Sequence, residues 1–234
     1  PVLNIMNGTR YKFYAEYIYG LNNGNKGCYN FGLDVRNYKV LYRNMILANR
    51  LAYAHSDGTA EVEYLLGGVD NWIKPQQSSN ASQGPADNYG YQAMSVPMRG
   101  YLQYGRTGNN FAVLNTEVRV PVFSTFIRRP VQRAILTNLQ AVAFVDAGGA
   151  WSGFLPDANN MDNTYYLPSL RSPYPGNNNN VYLKLTVPNS GGLAVGYGAG
   201  VRTSLLGYFV RLDAAWNIEG SKKPIVYFAL GTDF

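Results

Sequence analysis

Three charged residues at well-separated positions are placed for a shared chemical role: Arg99, Glu117 and Asp146. Glu117 and Asp146 lie in neighbouring segments with strand-like alternation, each on the polar face, and Arg99 precedes both in a long loop. A guanidinium in a confined polar cavity binds a carboxylate through two parallel hydrogen bonds, which makes the contact strong and directional. Gly100 would let the loop tip turn tightly beside a wall, and Tyr101 could pack on that wall. These residue types would allow the loop to fold back and pair its arginine with the strands.

The residues alone leave other arrangements of these charges open. Arg99 also fits an ordinary loop arginine in solvent, and Asp146 could line its strand without a partner. Glu117 could pair with Arg119 or Arg211 instead of the loop arginine. The charge pattern by itself therefore does not select one pairing.

Other kinds of chemistry find little support in the sequence. The single Cys28 and the single His55 exclude an internal disulfide and a Cys- or His-based metal cluster. The glycine-rich run at 196–200 lacks a third glycine at the spacing that a dinucleotide site requires, and it is not followed by the helix of such a site. The Asp and Asn residues at 157–163 fit a solvated surface loop better than a calcium site. No nucleophile–base pair emerges, so we predict no enzymatic activity, no metal and no cofactor.

The composition limits the class of protein. Charged residues make up 15 % of the chain and hydrophobic residues 46 %, with 20 Tyr and 25 Gly. No apolar run approaches the ~20 residues of a membrane-spanning helix, and the mean hydropathy is −0.21. The net charge is +6, but the basic residues are scattered, which argues against nucleic-acid binding. A membrane β-barrel and a soluble β-sandwich both fit this composition.

Alternation with a period of two is the main structural signal. In the segment 208–218, apolar residues occupy every second position from Tyr208 to Ile218, whereas Arg211, Asp213 and Asn217 lie between them. Aromatic residues near both ends of such an apolar face are typical of membrane interfaces. Nine strands are predicted on this basis, at 10–19, 29–38, 44–55, 60–67, 111–122, 136–148, 193–205, 208–218 and 225–234.

The connections between these segments differ in length. Short links are predicted at 56–59 and 205–207, and long loops at 68–110 and 149–192. Counting strands from the carboxy terminus puts both long loops on one side, as in outer-membrane barrels with long extracellular loops and short periplasmic turns. We predict an all-β protein, a transmembrane antiparallel β-barrel, with 68–110 directed into the lumen and 149–192 extracellular. Nine strands are an odd number, so we expect residues 1–234 to be the carboxy-terminal part of a barrel of about 16 strands.

Four motifs in order resemble those of the BamA-type assembly and translocation barrels, the bacterial surface-antigen family. The loop motif Met98-Arg99-Gly100-Tyr101 resembles the family's Val-Arg-Gly-Phe, with Met and Tyr as conservative departures. The strand motif Glu117-Val118-Arg119 resembles its Glu-x-Arg strand, and the motif from Phe144 to Gly148, with Asp146, resembles its Phe-x-Asp-x-Gly strand. The terminal motif runs from Tyr227 to Phe234 and resembles the family's last strand. The resemblance covers about residues 96–234.

This resemblance implies a site and a function. The loop tip would lie inside the barrel with Arg99 paired to Asp146. The barrel would insert or translocate other outer-membrane or secreted polypeptides without nucleotide, in the outer membrane of a Gram-negative cell. Its partners would be membrane lipid, unfolded polypeptides, and periplasmic or surface lipoproteins. The terminal strand would form half of a lateral gate, and the residues assigned to it are Tyr227, Phe228, Gly231 and Phe234.

Two other functions remain open at this point. The barrel could anchor an amino-terminal enzyme domain of the lipase-like type, or serve as a surface scaffold. A passive diffusion pore fits the lumenal arginines but does not explain the Arg-Gly loop. The sequence upstream of residue 1 would distinguish the first two.

Overall fold

The structure is a computed structural model, which describes residues 7–19, 27–59, 61–78, 93–126, 138–153, 155–156, 163–167, 183–187, 193–205, 208–220 and 222–231. The described strands are β1 (Gly8–Tyr19), β2 (Gly27–Tyr42), β3 (Met45–Gly58), β4 (Glu63–Leu66), β5 (Ala93–Val96), β6 (Arg106–Gly108), β7 (Asn110–Pro121), β8 (Gln140–Trp151), β9 (Asn163–Leu167), β10 (Leu183–Val187), β11 (Ala194–Leu205), β12 (Tyr208–Asn217) and β13 (Ile225–Gly231). One short helix, α1 (Val122–Phe126), follows β7.

Eight of these strands form one antiparallel sheet, which we call the large sheet. Its order is β1-β2-β3-β7-β8-β11-β12-β13. Neighbours in this sheet are also neighbours along the chain, apart from the short strands inserted between β3 and β7 and between β8 and β11. Such an up-and-down meander is the topology that antiparallel barrels use. Within the described residues, β1 and β13 are the two edge strands of the large sheet.

One face of the large sheet is apolar and exposed. Alternate positions of β12 illustrate it, because Tyr208 and Leu212 are 57 % and 45 % exposed whereas Asp213 is fully buried. The same alternation on β8 leaves Val145 exposed and buries Asp146. A soluble protein seldom exposes so continuous an apolar surface, whereas a lipid-facing wall requires one. We call this side the apolar face and the opposite side the loop-bearing face.

A second, three-stranded sheet covers the loop-bearing face. Its order is β5-β4-β6, with β4 parallel to β5 and antiparallel to β6, and we call it the loop sheet. The segment 60–67, predicted from the sequence as a strand alongside the others, supplies β4 to this loop sheet rather than to the large sheet. Tyr64, Leu65 and Leu66 are all buried, because β4 lies between two short partner strands and against the large sheet. We call the large sheet the wall. The described part of the large sheet therefore has eight strands.

The loop sheet packs large side chains against small side chains of the large sheet. The loop sheet and its flanks contribute larger residues, including Tyr64, Leu66 and Met98, to a shared core. The wall offers several small residues there, among them Ala52 and Ala54. Small residues opposite large ones let the layers approach closely without voids. The loop is therefore held as a packed layer against the wall.

The connections alternate between the two ends of the large sheet. Residues 59–109 and 152–193 join strands at one end, and the two-residue turn at 43–44 lies at the other. The carboxyl end of β13 lies on the same side as this short turn. Within 149–192, β9 and β10 form an antiparallel pair. Residues 206–207, which belong to the predicted short link at 205–207, and Phe234 lie outside the described residues.

Across the described part of the chain, no helix has both the length and the apolar character needed to cross a membrane.

Candidate functional site

Arg99 lies at the tip of the long loop and is buried against the loop-bearing face. Its Nε and Nη2 atoms donate to the two carboxylate oxygens of Asp146, each at 2.7 Å. The backbone N–H of Arg99 also donates to Asp146 Oδ2, at 3.0 Å. Asp146 is fully buried, and the arginine side chain is 5 % exposed. The contact is thus a bidentate ion pair, reinforced by a backbone hydrogen bond that fixes the position of the loop tip.

Glu117 joins three arginines from different parts of the chain. Arg99 Nη1 donates to its Oε1 at 2.7 Å, and Arg119 Nε donates to its Oε2 at 3.0 Å. Arg202 donates from both terminal nitrogens, at 2.6 and 2.7 Å. Because these four side chains are buried or nearly so, each charge depends on the others for solvation. Glu117 therefore links the loop tip to β7 and β11.

Asp213 on β12 extends the same cluster. Its Oδ2 lies 3.6 Å from Arg99 Nη1 and 3.5 Å from Arg211 Nε. Arg211 is the direct cross-strand neighbour of Arg202. Like charges facing each other across two strands repel, and the carboxylates of Glu117 and Asp213 offset this repulsion. We call Arg99, Arg119, Arg202, Arg211, Glu117, Asp146 and Asp213 the charge cluster.

Aromatic and glycine neighbours fit the arginine closely. The guanidinium of Arg99 lies 3.6 Å from the centre of the Phe144 ring, a cation–π contact from the residue two positions before Asp146. Met98 is 1 % exposed in the shared core, and its N–H donates to the carbonyl of Gly68 at 3.0 Å. A Cβ at Gly148 would lie 2.5 Å from the carbonyl oxygen of Ala112, so the strand motif needs glycine there.

Gly100 sits in a space that excludes any side chain. Its φ is +91°, and a Cβ there would lie 2.7 Å from the carbonyl oxygen of Trp216. Its N–H donates to the Tyr227 hydroxyl at 2.9 Å, and that hydroxyl donates to the carbonyl of Tyr101 at 2.8 Å. Asn217 Nδ2 donates to the Gly100 carbonyl at 3.1 Å. The loop tip is thus hydrogen-bonded to β12 and β13 as well as to β8.

Tyr101 completes the contact between the loop and the wall. Its hydroxyl accepts from the N–H of Val195 at 3.2 Å and donates to Glu219 Oε1 at 3.2 Å. Burial, with the Glu219 carboxylate beside it, raises the pKa of this loop tyrosine to about 12, which keeps the donor proton in place. Arg106 also pairs with Glu219. The motif from Met98 to Tyr101 is therefore anchored at every residue.

The terminal strand divides its residues between the two faces. Tyr227 is fully buried, where it contacts the loop, and Phe228 is 40 % exposed on the apolar face. Gly231 ends β13 and lines a cavity of about 190 Å³ beside the charge cluster. Phe234 lies outside the described residues. The described part of β13 therefore contacts the loop on one side and exposes an apolar side chain on the other.

Several members of this site were not selected from the sequence. Arg202 and Asp213 join the cluster from β11 and β12. Tyr227 was assigned to the terminal strand, but its hydroxyl contact with the loop tip was not predicted. The alternation of residue types could have identified Arg202 and Asp213, because both occupy polar positions in strongly alternating segments. Of the two other arginines that the sequence offers to Glu117, Arg119 binds it together with Arg99, whereas Arg211 lies next to Asp213.

No group of three or more His, Cys, Asp or Glu side chains among the described residues is arranged to hold a metal ion. In the charge cluster, the carboxylates of Glu117 and Asp146 are instead bound by arginines. The arrangement can hold a loop in place and present a charged inner surface.

An antiparallel up-and-down sheet with one exposed apolar face is the architecture of the wall of an outer-membrane β-barrel. The family model described as the Omp85 superfamily domain matches residues 3–234, and the chain belongs to this superfamily. Members of the superfamily insert or translocate proteins at the outer membrane. None of the curated proteins compared with the chain matches it.

Proposed function

We propose that this chain forms the carboxy-terminal wall of a BamA-like barrel that inserts or translocates unfolded polypeptides without nucleotide. The observation that carries the proposal is the binding of Arg99 to Asp146 and Glu117, which holds the long loop against the wall. The loop-bearing face is then the lumen, and the apolar face contacts lipid. In the same scheme, 149–192 is an extracellular loop.

The loop tip is placed to influence the terminal strand. Gly100 and Tyr101 bind Tyr227 in the middle of β13, at 2.9 and 2.8 Å. A loop held by the charge cluster therefore fixes the inner side of β13 while its exposed side meets lipid. We infer that this contact keeps the terminal strand in a defined position at one edge of the wall.

An edge strand supplies the driving force for the proposed activity. Unpaired N–H and C=O groups in lipid cost several kcal/mol each, so an exposed edge favours pairing with another strand. A substrate segment that adds to β13 would gain main-chain hydrogen bonds, as in β-augmentation. Insertion would then proceed by exchange of hydrogen bonds, which requires no cofactor.

The proposed partners follow from the same scheme. Lipid contacts the apolar face, and unfolded outer-membrane polypeptides contact the terminal strand. Periplasmic or surface lipoproteins of a Gram-negative envelope would contact the ends of the barrel.

Charge exchange tests the central contact. Arg99→Asp and Asp146→Arg should each reduce insertion of a model outer-membrane protein into liposomes, because each buries two like charges together. The double variant should recover part of the activity. Full recovery is not expected, since an aspartate at position 99 faces Glu117, whose Oε1 lies 2.7 Å from Arg99 Nη1.

The control for this exchange is Arg36→Asp with Asp34→Arg, a partly exposed pair on β2 at 2.9 Å. Both variants of that pair should insert the substrate normally. Equal loss of activity in the double variant and in the two single variants at Arg99 and Asp146 would contradict the role of the ion pair.

A further inference from the structure

A three-residue segment of the long loop lies against the outer edge of β13. Trp72 and Ala229 form an antiparallel bridge. Two hydrogen bonds flank it: Ile73 N–H donates to the Phe228 carbonyl at 2.7 Å, and Leu230 N–H donates to the Asn71 carbonyl at 3.4 Å. Since β13 is the last strand of the described large sheet, this segment occupies edge groups that no neighbouring strand of that sheet uses.

Trp72 anchors the segment. It is 8 % exposed and packs edge-on against the Tyr227 ring, with the ring centres 4.7 Å apart. It shares an apolar cluster with Phe144, which also stacks on Arg99. The segment is thus connected to the charge cluster through two aromatic contacts.

The same segment is short and bounded by unusual backbone. Asn71 and Lys74 have φ values of +55° and +57°, a region that residues with a side chain seldom adopt. Only two main-chain hydrogen bonds join the segment to β13, which is seven residues long. A longer strand could form more bonds along the same edge, and would therefore displace the segment.

We propose that Asn71–Ile73 is an internal edge cap, a piece of the lumenal loop that covers the outer edge of β13 until another strand replaces it. The Phe228 carbonyl and the Leu230 N–H point to this edge and already bind the cap. An incoming substrate strand must compete for them. This inference rests on the proposed function, and it adds a regulated step to it, namely release of the cap before a strand is captured.

The first experiment tests the contact itself, in purified protein reconstituted in liposomes. Trp72 and Ala229 form a non-hydrogen-bonded antiparallel pair, whose Cα separation of about 4.5 Å suits a disulfide. The Trp72→Cys/Ala229→Cys variant should form this disulfide on mild oxidation, seen as a change in gel mobility. The two single variants are the controls, because Cys28 is buried and should not react. Absence of the disulfide in the double variant would overturn the proposal.

The second experiment measures strand capture. The probe is a peptide with the sequence of residues 225–231 and a photo-crosslinkable analogue at its phenylalanine. The oxidised double variant should capture several-fold less peptide than the same protein after reduction. Ile73→Pro removes the donor to Phe228 and should increase capture several-fold, whereas Ile73→Val keeps the donor and should match the unchanged protein. Equal capture in all these proteins would overturn the proposal.

Insertion of a model outer-membrane protein separates the two proposals. If capture depends on the cap but no variant inserts the substrate, the proposed function fails and the edge cap stands. If insertion proceeds equally with the cap locked and released, the cap has no role and the proposed function stands.

Discussion

The carbonyl oxygen of Arg99 lies directly over Gly196 of β11, where a Cβ would come within 1.8 Å of it. This approach brings the loop backbone into contact with the wall, and it is possible because position 196 has no side chain. The guanidinium then reaches Asp146 on the adjacent strand β8, where Gly196 and Asp146 are cross-strand partners. The loop and the wall are therefore matched in shape as well as in charge.

Alanine at Gly196 or at Gly100 should release the loop tip. At both positions the new Cβ would overlap backbone atoms, at 1.8 Å and 2.7 Å respectively, and φ at Gly100 is +91°. Overpacking of this kind costs about 1–3 kcal/mol. Limited proteolysis of the protein in liposomes should show faster cleavage within 59–109.

Gly220 is the matched control for this prediction. Its φ of +94° is similar to that of Gly100, but a Cβ at this position would have no atom within 4 Å. Gly220→Ala tests backbone strain without overlap and should leave the cleavage rate of the loop unchanged. Equal cleavage in Gly100→Ala and Gly220→Ala would mean that the tight contact does not hold the loop.

Neutralising Glu117 should destabilise the protein more than neutralising a partly exposed carboxylate. Glu117→Gln leaves Arg99, Arg119 and Arg202 close together without the carboxylate they share. Breaking a buried ion pair from one side costs about 3–5 kcal/mol. The free energy of unfolding, measured by denaturant titration in lipid vesicles, should fall by about that amount.

The comparison for Glu117 is Asp34→Asn on β2. Asp34 also binds two arginines, but its side chain is 21 % exposed. Water replaces much of a partly exposed contact, so the free energy of unfolding should fall by about 1 kcal/mol or less. A larger loss at Asp34 than at Glu117 would contradict the burial argument.

Removing one hydroxyl from the terminal strand should loosen the loop. Tyr227→Phe retains the ring against Trp72 but leaves the Gly100 N–H and the Tyr101 carbonyl without their partner. A buried group without a partner costs about 1–3 kcal/mol. Hydrogen exchange at Gly100 should become faster, whereas Tyr197→Phe, on the exposed apolar face, should not change it.

An arginine on the apolar face should lower the free energy of unfolding most when it lies at the middle of a strand. Leu212 lies in the centre of β12 and is 45 % exposed, so arginine there would face the lipid core. The expected loss in the free energy of unfolding is about 2–4 kcal/mol at the bilayer midplane and about 0–1 near the interface. Tyr208→Arg, at the first residue of the same strand, should therefore be tolerated. Equal effects at both positions would argue against membrane burial of this face.

The alternation of residue types made most of the wall predictable. Glu117, Asp146 and Asp213 occupy polar positions in segments where polar and apolar residues alternate. The structure buries all three on the loop-bearing face. The period of two is a local property of an extended chain, so it can be read without knowledge of the partners. The segment at 60–67 shows the limit of this approach, because strand character does not reveal which sheet a strand joins.

The sequence by itself determined the antiparallel strands, the two faces of the wall, and the presence of a long loop with an Arg-Gly tip. Only the tertiary structure decided that β4 belongs to the loop sheet, that Arg202 and Asp213 complete the charge cluster, and that Tyr227 binds Gly100. It also decided that Trp72 pairs with Ala229. The physical reason is that face and strand character follow from neighbouring residues, whereas these contacts join residues up to 157 positions apart. Their register depends on how the loop packs over the wall, and the paired arginine and the glycines that permit close approach determine that packing.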